Sequence, residues 1–307
     1  MPTVSVITPT YNRASTLPNC IKSVQEQTYQ DYEHIIVDDG STDETKKVVT
    51  SIDDDRINYL SLNGNQGANA ARNRGIKAAN GEFVAFLDSD DQYHPEKLEV
   101  CVDKLTALSR DDFAGVFHSM QFVEDEEIIN ISNVDEGEID FGVLKHGNPI
   151  GGFTDIMFRS DIFDEIGALD EDMPAYQDWE FFLRVLNEYQ MWGIAKPLSI
   201  KRESIPKGSE CRVSDQLESK SHAQDLLLEK HGDKISQKIQ SEFHYTRGFL
   251  KMERGNTQGA RQEFKQAVRL YAKNPLYIYH YIATFGGKQG FEISVNAKKK
   301  VKLILSS

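Results

Sequence analysis

The chain has 307 residues, 39% of them hydrophobic and 27% charged, with a formal net charge of −13 at pH 7. That is room for one large α/β domain and a smaller appendage in an ordinary globular composition. The acidic balance disfavours non-specific nucleic-acid binding, although one metal ion would offset the repulsion of a single nucleotide.

Cys20, Cys101 and Cys211 form neither a disulfide framework nor a zinc pattern, which fits a reducing compartment. The chain opens on a strand-like segment rather than a signal peptide, and no apolar run approaches the roughly 20 residues of a membrane helix. A soluble, cytoplasmic protein is the expectation.

In chain order, residues 4–8 form a short β-branched run, and residues 14–27 show helical spacing with Leu17, Ile21 and Val24 on one side. A second buried-type strand at 33–37 ends on Asp38-Asp39-Gly40-Ser41, and Ser41 or Thr42 is placed to cap a helix running to Val49. Residues 56–62 read as a third strand and 68–79 as a third helix; a fourth strand at 82–87 closes on Asp88-Ser89-Asp90-Asp91. This alternation predicts an α/β fold with a mostly parallel central sheet flanked by helices. In such sheets ligands bind beyond the carboxyl ends of the strands, and there lie Thr10-Tyr11-Asn12, Asp38-Asp39 and the 88–91 acids.

From 113 to 158 the pattern is less regular, with short strands and an acidic loop at 124–127. Residues 176–189 form a helix with Trp179, Phe182, Leu183 and Leu186 spaced for burial, and 191–200 return to strand. Pro206 and Gly208 mark 203–214 as a mobile loop. Beyond 215 the chain is helical. The segments 235–253 and 258–271, joined at Gly255-Asn256, resemble one tetratricopeptide-type hairpin through Gly248, Ala260, Phe264, Ala267 and Pro275. A single hairpin needs neighbours to bury its faces, so packing on the main domain and partner docking both stay open. The run Lys298-Lys299-Lys300-Val301-Lys302 reads first as a solvated end and second as a weak membrane-surface contact.

Several of these segments can carry chemistry. Crowded carboxylates stay ionised only with positive charge among them, and a hard divalent cation with oxygen ligands meets that need at Asp88-Ser89-Asp90-Asp91. The same residues also suit a turn capping the helix that starts near Pro95. Asp38 to Asp43 is a turn and cap, or a strand-end acceptor for base or ribose hydrogen bonds. Gly67 allows close backbone approach, and Arg72 or Arg74 can pair with phosphate or with a helix neighbour. Asp178 suits a general base, or plain charge complementarity at a helix start.

Together and in order, "VSVITPTYNR" at 4–13, "DDGSTD" at 38–43, "NQGANAARNRG" at 65–75, "GEFVAFLDSDD" at 81–91 and "QDWEFFLR" at 177–184 resemble the family 2 glycosyltransferases. The resemblance covers about two-thirds of the chain and implies the GT-A fold over 1–214, with a donor-binding half (1–110), an acceptor-binding half (111–214) and a helical C-terminal region (215–307). It implies that Pro9 and Tyr11 line the base pocket, Asp39 bonds the base, Asp88 sits near the ribose, and Asp90 binds Mn²⁺ or Mg²⁺ holding the diphosphate. Arg72 becomes a donor contact and Asp178 the acceptor-activating base, with Gln177 where an acid is usual, Glu180 as a possible helper, and Gly151-Gly152 opening the strand beside the acceptor.

The implied reaction is inverting transfer from a nucleotide diphosphate sugar, a UDP-sugar favoured, to a glycan or lipid-linked hydroxyl. The 203–214 loop is the implied lid over the donor, and peripheral action at the inner face of a membrane fits such an acceptor. A nicotinamide oxidoreductase and a sugar nucleotidyltransferase both want glycines after the first strand, where Thr8-Pro9-Thr10-Tyr11-Asn12-Arg13 stands. A degenerate nucleotide-sugar-binding or docking protein is the remaining alternative, opposed by the presence of Asp39, Asp88, Asp90 and Asp178.

Overall fold

The computed structural model describes residues 1–202, 217–289 and 291; the expected loop at 203–214 and the lysine run at 298–302 lie outside them. The chain divides into two compact units. The first comprises Met1–Leu144, Asn148–Met173 and Gln177–Cys211, and the second Lys145–Gly147, Pro174–Tyr176 and Arg212–Ser307. No helix among the described residues is long and apolar enough to cross a membrane.

The first unit opens with strand β1 (Val4–Thr10), helix α1 (Leu17–Gln25), β2 (Tyr32–Asp38), α2 (Thr45–Thr50), β3 (Ile57–Ser61), α3 (Ala68–Ile76) and β4 (Phe83–Phe86). All seven residues of β1 are buried, as befits a central strand covered on both faces. Strands β3, β2, β1 and β4 lie side by side and parallel, as expected. Leu17, Ile21 and Val24, the predicted inner side of α1, are all fully buried. Pro9 interrupts no ladder: the last β1–β4 pair is Ile7 with Phe86, so its missing N–H falls past the end of β4.

The chain continues through β5 (Asp91–Tyr93), α4 (Lys97–Ala107), β6 (Phe113–Glu124), β7 (Glu127–Ile131), β8 (Gly137–Ile139), α5 (Phe141–Leu144), a 3₁₀ turn (Phe153–Asp155), β9 (Ile156–Arg159), α6 (Ile162–Glu165), α7 (Gln177–Glu188) and β10 (Gln190–Arg202). Here the sheet turns mixed, in the order β4, β9, β6, β10, β5. β9 is antiparallel to both β4 and β6, β10 is parallel to β6, and β5 is antiparallel to β10. The change of direction has a plain cause. The chain reaches β9 through short strands and turns, without the helical crossover that returns a strand parallel.

Helix α7 is fixed by aromatic packing. Phe181 stacks on Phe163 at 5.5 Å and meets Phe158 edge-on at 5.5 Å, while Phe182 meets Phe153 at 5.9 Å. Phe153 reaches Phe86 of β4 at 5.2 Å. Each such pair contributes about 0.5–1.5 kcal/mol beyond simple burial, so the cluster pins α7 to the strand that precedes the 88–91 acids. Trp179, Phe182, Leu183 and Leu186 are buried as their spacing predicts.

The second unit holds α8 (Leu217–His231), α9 (Gln237–Glu253), α10 (Thr257–Leu270) and α11 (Pro275–Ala283). α9 and α10 form the expected hairpin. Gly255 (φ 77°) turns the chain, Asn256 caps α10 on the N–H of Gly259, and a Cβ on Gly248 would lie 2.7 Å from the Phe264 ring.

One local expectation is corrected. Neither Ser41 nor Thr42 caps α2, which begins only at Thr45. The Ser41 hydroxyl instead accepts from the Asn12 N–H (2.9 Å), and the Thr42 N–H donates to Asn12 Oδ1 (2.8 Å), so a tertiary partner outcompetes the local cap.

Small residues let α3 approach β1. A Cβ on Gly75 would lie 2.4 Å from Ile7 Cγ2, on a fully buried side chain that cannot step aside. Gly75→Val is therefore expected to destabilise the protein by about 1–3 kcal/mol, read as a fall in the urea midpoint.

Candidate active site

Beyond the carboxyl ends of β1, β2 and β4 the loops are bound to one another rather than held open. Asn12, in the left-handed region at φ 51°, interlocks with Ser41 and Thr42, and the next two N–H groups, of Arg13 and Ala14, donate to Thr45 Oγ1 (3.1 Å) and Asp43 Oδ2 (3.0 Å). The Tyr59 hydroxyl donates to Asp38 (2.6 Å), and Asp38 also accepts from the Ser41 N–H (2.8 Å). A Cβ on Gly40 would fall 2.6 Å from the Cα of Gly64, and both residues have positive φ. The contact requires glycine at position 40, while Gly64 is favoured by its φ of 82° alone.

Asp39 is buried, and its two oxygens accept the backbone N–H groups of Gln66 (2.7 Å) and Gly67 (2.8 Å). Burial pushes its carboxyl above the usual range against those two hydrogen bonds, helped by the neighbouring Asp38. The residue expected at the base thus also braces the start of α3. Each oxygen keeps a second lone pair for a ligand. Pro9 is buried in β1 and Tyr11 is half-buried beside this loop.

Arg72 is a buried junction. Its guanidinium donates to Asp88 Oδ1 at 2.7 Å, to Asn69 Oδ1 at 3.2 Å and to Gln177 Oε1 at 3.4 Å, and it lies 4.6 Å from the centre of the Phe153 ring. It joins the end of β4 to the first residue of α7. Burial alone would raise the Asp88 carboxyl, but the charges of Arg72, Lys201 and Arg13, with the Arg72 hydrogen bond, hold it below the ordinary range.

Asp91, by contrast, is pushed well above that range. Burial is the main cause, and the charges of Asp90 and Asp88 add to it against Lys201 and the Thr154 hydroxyl. Between these two neighbours Asp90 is only partly buried. Among the described residues no group of three or more His, Cys, Asp or Glu side chains forms a ready metal cage. The donor set nonetheless fits a hard cation bound through one protein carboxylate and completed by substrate phosphates and water, the usual arrangement for Mg²⁺.

Asp178 lies one residue into α7. Burial pushes its carboxyl up to about 6; the Trp179 N–H (2.7 Å) and the Arg72 charge pull it down, and the Asp88 charge pushes it further up. A carboxylate tuned towards neutrality is a better proton acceptor near pH 7. Both oxygens of Glu180 bind the Arg184 guanidinium at 3.0 Å, and Arg184 in turn donates to the carbonyls of Ile166 and Ala168.

Two site residues had no signal in the sequence. Thr154, in the 3₁₀ turn, accepts from the Asp88 N–H (3.1 Å) and donates its hydroxyl proton to Asp91 Oδ2 (2.9 Å). Asp155 accepts from the Ser199 hydroxyl (2.7 Å) and the Gly152 N–H (3.2 Å), and burial raises its carboxyl to about 7. Gly151-Gly152 therefore leads into this turn, with β9 beginning only at Ile156.

Residues 5–167 match the family model described as "Glycosyl transferase family 2". The chain belongs to that family. Among relatives of this family 2 chain is a GalNAc(5)-diNAcBac-PP-undecaprenol beta-1,3-glucosyltransferase of Campylobacter jejuni, 46% identical over 120 residues, which is 38% of either chain. A putative teichuronic acid biosynthesis glycosyltransferase of Bacillus subtilis is 45% identical over 100 residues, 32% of this chain and 40% of that one. An uncharacterized glycosyltransferase of Rickettsia typhi is 34% identical over 200 residues, 61% of each. The matched stretches thus span less than two thirds of these relatives' own length.

Among solved structures, S. aureus TarS 1–349 in complex with UDP-GlcNAc superposes with a TM-score of 0.67 at 19% identity, covering 98% of this chain and 92% of that one. The same protein with UDP gives 0.62 at 19% identity over the same shares. These likenesses show the fold, and it is the expected GT-A fold.

Thr154→Val removes the hydroxyl and leaves the Asp88 N–H and Asp91 Oδ2 buried without it. A loss of about 1–3 kcal/mol in urea unfolding is expected, with Thr154→Ser close to the parent.

Proposed function

We propose that the protein is an inverting glycosyltransferase that moves a sugar from a nucleoside diphosphate donor, with UDP-sugars favoured, to a hydroxyl of a glycan or lipid-linked acceptor. The observation that carries this reading is the buried Arg72 junction. It ties Asp88, beside the candidate cation ligand Asp90, to the helix end bearing Asp178. Acidic cluster and proton acceptor are thereby held in register. The similar S. aureus TarS structures, with UDP and UDP-GlcNAc bound, support the choice of donor, and the undecaprenol-linked substrate of the Campylobacter relative supports that of acceptor.

In this reading Pro9, Tyr11 and Asp39 hold the base, and Asp88 orients the ribose. Arg72 keeps Asp88 ionised and correctly turned, and so acts on the donor through that carboxylate. Asp90 holds a divalent cation, Mn²⁺ or Mg²⁺, which when bound supplies charge neutralisation for the diphosphate. Asp178 accepts the acceptor's hydroxyl proton as that oxygen bonds the anomeric carbon from the face opposite the diphosphate. The carbon–oxygen bond to phosphate breaks in the same step, and the electron pair leaves with the nucleoside diphosphate. One displacement inverts the anomeric centre. Alignment of both substrates and fixed charge at the leaving group account for most of the acceleration.

Donor turnover is measured with UDP-, GDP- and dTDP-sugars in Mn²⁺ or Mg²⁺, and donor affinity by calorimetry. Asp178→Asn is expected to cut transfer by about 10²–10⁴-fold with donor affinity kept; undiminished transfer would refute the base. Asp90→Ala should abolish the cation-dependent part of donor binding, and normal affinity in metal would overturn that ligand.

The pH dependence follows from the raised Asp178 carboxyl. Protonated Asp178 cannot accept a proton, so kcat/KM should climb as pH rises through about 6 and level off above it. A flat profile across that range is the contrary result.

A further inference from the structure

Helix α3 buries polar side chains where a core-facing helix normally buries apolar ones. Asn69, Arg72 and Asn73 recur at helical spacing along one side and are 2%, 5% and 4% exposed. Arg72 meets Asp88 and Gln177, while the two asparagines grip the chain that leads towards α7. Asn73 bonds the Leu169 backbone in both directions, its Oδ1 accepting from the N–H (2.9 Å) and its Nδ2 donating to the carbonyl (2.9 Å). The same Nδ2 donates its second proton to Glu171 Oε1 (2.8 Å). Asn69 Nδ2 donates to the Asp170 carbonyl (2.7 Å).

The fastened segment hands its position on. The Met173 N–H donates to the Asp170 carbonyl (3.4 Å), and the Gln177 side-chain amide donates to the Met173 carbonyl (3.0 Å). Gln177 is the neighbour of Asp178 in the first turn of α7. At its other end α3 is braced by Asp39, through the N–H groups of Gln66 and Gly67. One helix of nine residues thus connects the loop of Asp39 to the approach of Asp178.

Stability alone does not call for amides here. Burying them is costly unless each is satisfied, and apolar groups of the same shape would hold a helix about as well. What a satisfied polar network adds is a unique geometry. The paired bonds between Asn73 and Leu169 hold in one register only, since a slip of one residue breaks both. We propose that Asn73 is a positioning residue for sugar transfer, setting the reach of Asp178 to the acceptor hydroxyl by fixing residues 169–173. The proposal rests on the reading of Asp178 as proton acceptor. It places the effect in the chemical step, because the side-chain partners of Asn73 are Leu169 and Glu171 and no residue assigned to the donor.

Asn73→Asp keeps the shape of the side chain but sets an oxygen against the Leu169 carbonyl and the Glu171 carboxylate. It is assayed in the whole chain at about pH 8, which keeps the new carboxyl ionised. With donor and acceptor saturating, kcat is expected to fall about 10–100-fold while the calorimetric donor affinity stays that of the parent. Adding Glu171→Gln returns a hydrogen-bond donor to face the new carboxylate and should recover a large part of the loss. Placed on Asp178→Asn, Asn73→Asp should cost nothing further, because a residue acting through Asp178 has nothing left to position. Glu171→Ala, at an exposed position that does not threaten folding, should lower kcat severalfold in the same way.

An unchanged kcat in folded Asn73→Asp overturns the inference, as does a loss that multiplies with that of Asp178→Asn. A fall in the urea midpoint with kcat kept assigns Asn73 to stability alone and overturns it too. Failure of the underlying reading looks different: Asp178→Asn then transfers as the parent does. A wrong assignment of Asn73 leaves Asp178→Asn crippled and Asn73→Asp fully active.

Discussion

Everything at the carboxyl edge of the sheet depends on one buried guanidinium. Arg72 stands almost wholly out of solvent, and only the partners it finds make that tolerable: the Asp88 carboxylate, two amide oxygens and the face of Phe153. An unpaired cation there would cost several kcal/mol, so the contact also dictates where Asp88 and Gln177 must sit. The register between strand β4 and helix α7 follows from it. So does the difference among the acids, with Asp88 held ionised by its partner and Asp91 pressed towards neutrality by burial.

Packing and polar contacts serve the same end. The phenylalanine cluster sets the height and tilt of α7, while Thr154 links the backbone of Asp88 to the side chain of Asp91 from below. Asp155, Ser199 and the Gly152 N–H then fasten that turn to β10. Aromatic contacts alone have broad minima, and hydrogen bonds narrow the position further. The two nets overlap at the 3₁₀ turn, where Phe153 belongs to the aromatic one and Thr154 and Asp155 to the hydrogen-bonded one.

The part of the chain up to β4 is largely legible in the sequence because its signals are local. The spacing of Leu17, Ile21 and Val24 gives a helix face, and short buried runs ending in acids give strands with chemistry at their tips. Beyond β4 the directions of the strands were not legible, since no short-range pattern says that β9 runs against β4. Thr154 and Asp155 carry no motif, and their importance arises from residues 63 and 44 positions away. The resemblance offers Arg72 to the donor, while its contact with Gln177, 105 residues on, carries no sequence signal. Ser41 was misassigned for the related reason that Asn12 competes for it from another loop.

The glycine-on-glycine contact between positions 40 and 64 has an evolutionary consequence. With no space at position 40 for even a methyl group, that loop cannot gain a side chain there unless the backbone at position 64 moves away. Diversification under such a constraint is channelled elsewhere, to the outer strands and the loops after β6, where an insertion meets solvent instead of a backbone. A lineage built this way keeps the loops after β1 and β2 fixed and varies elsewhere.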